Sequence, residues 1–78
     1  MTITLSSKDY NSTRWPDIAA QEYAKRQGCT QKVVGDVAWR NPRNRKRYIK
    51  LVKSSRDSHS ITVYVSGIES RIEIKIVC

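Results

Sequence analysis

Residues 60–77 read SITVYV-SG-IESRIEIKIV, and this stretch decides the fold. Apolar side chains take every second position on either side of Ser66-Gly67: Ile61, Val63 and Val65 before it, Ile72, Ile74 and Ile76 after it. A period of two marks strands with one buried face. A two-residue hairpin turn needs positive φ, which Gly67 adopts without steric cost. With that turn Val65 pairs with Ile68, Val63 with Ser70, Ile61 with Ile72 and His59 with Ile74. Directly opposed residues share a face, so turn and alternation independently give one register.

The reading extends upstream. Arg47–Lys53 is a strand with Ile49 and Leu51 on one face and Tyr48, Lys50 and Val52 on the other, and Ser54–His59 is a polar turn. Before it, Val33, Val37 and Trp39 share a face of one strand running from Gln31, with Gly35 as a bulge or close-packing point. Asn41-Pro42 breaks that strand. Pairing Trp39 with Ile49 sets Val37 opposite Leu51 and leaves Asn41–Lys46 as the connecting loop.

Further upstream the period is helical. Ser12 or Thr13 serves as N-cap and Pro16 stands in the first turn, where its missing N–H is harmless. Asp17 and Glu22 precede Lys25 and Arg26, the order the helix dipole favours, and Gly28 is the stop. Trp15, Ile18, Ala19, Ala20, Tyr23 and Ala24 form an alanine-rich stripe that can lie close on a sheet. The expected fold is therefore α+β: one N-terminal helix packed on a four-stranded antiparallel β-meander, in one domain over residues 1–78. Met1–Leu5 either adds a short edge strand or stays loose with the rest of residues 1–12.

Composition narrows the function. The chain has 78 residues, 15 Lys plus Arg against 7 Asp plus Glu, and a formal charge of +8. No apolar run approaches the ~20 residues of a membrane span. Met1–Tyr10 shows neither the basic nor the apolar region of an export signal, so the expectation is a cytoplasmic protein with Cys29 and Cys78 reduced. Cys29 is expected to pack as a small apolar residue after the helix. Two cysteines and His59 lack zinc-ligand spacing, and Gly28, Gly35 and Gly67 are isolated, so no metal, phosphate loop or other cofactor is expected.

The charge is local. Arg40, Arg43, Arg45, Lys46, Arg47, Lys50, Lys53 and Arg56 are eight of the fifteen basic residues, and no acidic residue lies from Val37 through Arg56. Arg forks match phosphate oxygens, Arg and Asn read base edges, and a two-stranded ribbon fits a major groove. The plain alternative is a solvated hairpin whose charges discourage edge pairing. The sheet face away from the helix should carry Tyr48, Lys50, Thr62, Tyr64, Glu69, Arg71, Glu73 and Lys75. Tyrosines beside cations resemble the platforms on which RNA-binding sheets stack bases, while the glutamates also fit an ordinary solvated face with Arg71 and Lys75 paired to them.

Three functions compete. The first is a non-enzymatic nucleic-acid-binding protein, for DNA or RNA, using those eight basic residues with Tyr48 and Trp39 beside the loop. The second is an inhibitor or adaptor that docks the same cations on an acidic protein, such as a host defence nucleoprotein complex. The third is a small ribonuclease toxin, for which only composition speaks, because His59 is the lone histidine. In size, charge and want of catalytic motifs the chain resembles small accessory proteins of phages and mobile elements as a class. Open sheet edges also suit a homodimer.

Overall fold

The computed structural model describes all residues, Met1–Cys78. Its elements in chain order are β1 (Thr2–Ser6), α1 (Ser7–Tyr10), α2 (Trp15–Arg26), β2 (Gln31–Lys32), β3 (Ala38–Arg40), β4 (Tyr48–Ser55), β5 (Ser60–Val65) and β6 (Ile68–Val77). The class is α+β, with a six-stranded sheet of order β1-β6-β5-β4-β3-β2. Every pair is antiparallel except β1 with β6.

The β5–β6 hairpin has the expected register: Val65 faces Ile68, Val63 faces Ser70 and Ile61 faces Ile72. Ser66 and Gly67 both have positive φ, 52° and 90°, the pattern of a type I′ turn whose twist matches its strands. The expected pairing of Trp39 with Ile49 is also present.

Two expectations are corrected and one open alternative is resolved. The sheet has six strands where four were expected. The segment from Gln31 to Trp39 is not one strand with a bulge. Gly35, at φ 77°, makes a turn, and the chain doubles back so that Gln31 faces Arg40 and Lys32 faces Trp39. That turn takes Val33 and Val37 out of the buried set: Val37 is exposed and Val33 half-buried. Of the two alternatives for the N-terminal segment, the edge strand is the one present. Thr2 to Ser6 pair with Glu73 to Val77, and Ile3 and Leu5 are buried. Ser6 then caps α1 by accepting from the Asp9 amide at 3.1 Å.

Helix α2 starts after Arg14, without a side-chain cap bond; Ser12 instead accepts from the Arg14 amide at 3.2 Å. Its Trp15, Ala19, Ala20, Tyr23 and Ala24 are buried against the inner sheet face. The sheet contributes Ile3, Leu5, Trp39, Ile49, Ile61, Val63, Ile72 and Ile74, with Leu51, Val65 and Ile76 at the margin. Burying each large aliphatic side chain contributes about 1.5–3 kcal/mol, so this layer holds the outer face in place. Neither helix is long and apolar enough to cross a membrane.

Candidate nucleic-acid interface

The expected loop, Asn41–Lys46, joins β3 to β4 and runs one residue further, across residues 41–47. Its shape comes from asparagine. The Asn41 carboxamide oxygen accepts from the amides of Arg43, at 2.8 Å, and Asn44, at 3.0 Å. Asn44 does the same for Lys46 at 3.2 Å. These local bonds shape the loop above its base, where the Asn41 amide donates to the Arg47 carbonyl at 3.0 Å. Asn41 and Asn44 are therefore turn formers, and the base-reading role their residue type suggested is not available to those oxygens.

Arg47 is also committed. Its Nε donates to the Gln27 carbonyl at 3.1 Å and its Nη2 to Gln27 Oε1 at 2.6 Å. Gln27 is the C-cap of α2, where carbonyls lack helical partners and a cation is favoured. The Arg47 carbonyl in turn accepts from Cys29 Sγ at 3.7 Å. Cys29 is buried, as expected, and both cysteines are free thiols. Burial pushes the Cys29 thiol above its ordinary range, opposed in part by the Arg47 guanidinium and its hydrogen bond. The helix end thus clamps the base of the loop.

What remains projects. Arg40, Arg43, Arg45 and Lys46 are exposed, and their side chains make no ion pair or hydrogen bond. Arg40 and Arg45 line one groove of about 230 Å³ between the loop and β2, with Gln31 and Lys32. Lys32 itself is held at 3.5 Å from Asp17 and over the Trp39 ring. Trp39 is core, so it offers no stacking surface.

The outer sheet face continues from the loop. Arg40 faces Tyr48, Lys50 faces Tyr64, and Tyr64 faces Glu69. Lys50 lies 3.9 Å from Asp36, an exposed pair of little energetic weight. Val52 is an extra residue in β4: Leu51 faces Val63, but Lys53 rather than Val52 faces Thr62. That bulge shifts the phase of the strand, so Lys50 and Lys53 share the outer face. The next row is Lys53, Thr62 and Arg71. The expected pairing of Arg71 and Lys75 with nearby glutamates does not occur; neither makes an ion pair.

Arg56 is separated from the group. It lies past the far end of β4, with its guanidinium 5.0 Å from the Tyr10 ring and 5.7 Å from Trp15. Its carbonyl accepts from Tyr10 Oη at 2.9 Å, and His59 stacks on Tyr10 at 5.6 Å. So Arg56 is spent on a packed aromatic cluster. Of the nine residues singled out by sequence, Arg40, Arg43, Arg45, Lys46, Tyr48, Lys50 and Lys53 form one surface, Arg47 anchors it and Arg56 stands apart. Tyr64, Thr62 and Arg71 join that surface; period-two alternation shows their face, and only the Val52 bulge aligns them with Lys53.

No family model, curated protein or solved structure matches this chain. No three His, Cys, Asp or Glu side chains come together as a metal-binding group.

Proposed function

We propose that this protein is a nucleic-acid-binding protein that works by contact rather than catalysis. One observation carries the reading: four cations of the β3–β4 loop, Arg40, Arg43, Arg45 and Lys46, project with no acidic partner and lead onto a face bearing Tyr48, Lys50, Tyr64 and Lys53. Guanidinium and ammonium groups held apart at a loop tip suit a polyanion, where each neutralised phosphate releases counterions. The tyrosines offer ring area beside the phosphate path. Cys29 lies under the start of β4 while His59 follows its far end, an arrangement that supports binding over His–Cys chemistry.

Fluorescence anisotropy with labelled single-stranded and duplex oligonucleotides tests the proposal. With four or five phosphates contacted, affinity should fall about a hundredfold between 50 and 200 mM salt. No binding at low salt, or binding indifferent to salt, overturns it. So does recovery of one stoichiometric acidic protein after nuclease treatment with no oligonucleotide affinity.

A further inference from the structure

At the end of the outer face farthest from the loop, Lys53 and Arg71 border a hollow of their own. A cavity of about 180 Å³ opens among β4, β5, β6 and the turn before β5, well above the ~15 Å³ that holds one water. Its lining residues are two cations, Lys53 and Arg71, with Ser55, Ser58, Ser60 and Thr62 as hydroxyl bearers and Ser54, whose side chain shares the inner face with Ile61; no apolar residue and no carboxylate lines it. We propose that this cavity is an oxyanion site that takes a phosphate group. The proposed function supplies the first candidate source, a backbone phosphate of the nucleic acid, and to that extent this inference rests on it.

The chemistry follows from the register. Lys53, Thr62 and Arg71 stand in one cross-strand row. Neighbouring strands are about 4.8 Å apart, so the two cations flank Thr62 with their backbones about 10 Å from each other, a span their long side chains close from both sides. Neither is neutralised within the protein. Ser55 faces Ser60 in the adjoining row. Ser55 Oγ accepts from the Ser58 amide at 3.2 Å, which leaves its own O–H to donate. Ser60 is 6% exposed and forms no side-chain hydrogen bond inside the protein. Its hydroxyl, at the wall of the cavity, is thus free to donate to an anion there. Cations and hydroxyl donors together reject a metal ion, and a tetrahedral oxyanion offers more acceptor directions than a planar carboxylate. Glu73, opposite Ser60, and Asp57 in the turn lie beside the cavity without lining it, and they hold its affinity down.

Two-dimensional NMR of the whole labelled chain decides the matter. Inorganic phosphate, at constant ionic strength against chloride, should produce saturable shifts at the amides of Ser58, Ser60, Thr62 and Arg71. Those shifts should vanish in the Lys53→Gln/Arg71→Gln double variant, whose spectrum elsewhere stays that of the parent. Glu73→Gln should tighten phosphate about threefold, since it removes a nearby like charge. Absence of saturable shifts, equal shifts with chloride, or shifts that survive in the double variant overturn the site. An oligothymidylate arm separates the sources. If it moves the same amides, and the double variant weakens it about tenfold, the source is a backbone phosphate. If it moves only loop amides, the polymer source is overturned and the proposed function stands. If phosphate binds while the oligonucleotide moves nothing, the site stands with free phosphate and the proposed function falls.

Discussion

In the β5–β6 hairpin six residue pairs face each other across a two-residue turn, and Ile61, Val63 and Ile72 are sealed in the core. In the β3–β4 hairpin three pairs are joined by seven residues, and every side chain from Pro42 to Arg47 is exposed. The first is held by ladder bonds and apolar burial. The second buries Trp39 and Ile49 in its strands, but its long loop is held by two asparagines and by the grip of Arg47 on the end of α2. Because the loop's shape comes from side-chain-to-backbone bonds at its base, the cations at its tip have no structural duty. In the second hairpin the strands carry the packing and the loop carries the charge.

The largest effect should come from breaking the first hairpin. Ile61→Ala removes a fully buried side chain and should cost about 2–5 kcal/mol in urea denaturation. A loss below about 1 kcal/mol would show that the hairpin is not what anchors the sheet. Replacing Arg40, Arg43, Arg45 and Lys46 together by Gln should leave stability within about 0.5 kcal/mol, while the salt slope of oligonucleotide binding flattens by about 3–4. If that variant unfolds, the proposed separation of duties is wrong. Asn41→Ala strands the amides of Arg43 and Asn44 and should cost about 1 kcal/mol, with faster hydrogen exchange confined to the loop.

The smallest effect reads the clamp itself. At pH 8 a thiol reagent should label exposed Cys78 more than about tenfold faster than Cys29, whose thiol is buried and held protonated. Arg47→Ala should narrow that gap by loosening the loop base. The pH sign follows from the raised folded-state value: the contribution of Cys29 to stability is complete below the ordinary thiol range and declines as pH rises through and above it. Stability that instead rose across that range would contradict the burial of this thiol.

Sequence made the β5–β6 register and the Trp39–Ile49 pairing legible because each rests on local alternation and a turn residue. The location of the charge was equally plain. Three things were not. Gly35 reads as a bulge or as a turn with equal ease, and the phase of Val33 and Val37 depends on which. Leu51 and Val52 are consecutive apolar residues, so alternation does not show which is the extra one, and the address of Lys53 hangs on that choice. The partners of Arg47 and Arg56 lie twenty and forty-six positions away. Spacing in the chain carries no trace of such contacts, so eight clustered cations looked alike when two had been put to structural use.

The N-terminal strand has a consequence for how the molecule assembles. Hairpin β5–β6 closes over two residues, a microsecond event. Strand β1 has to bring Ile3 beside Ile74, almost the whole chain away, and such non-local pairing slows folding. Until β1 docks, the free edge of β6 and the Ile3–Leu5 stripe both stand open, and each fits the corresponding segment of another molecule as well as its own. Refolding yield should therefore fall as protein concentration rises, with the waiting edge of β6 as the place where two chains first become entangled.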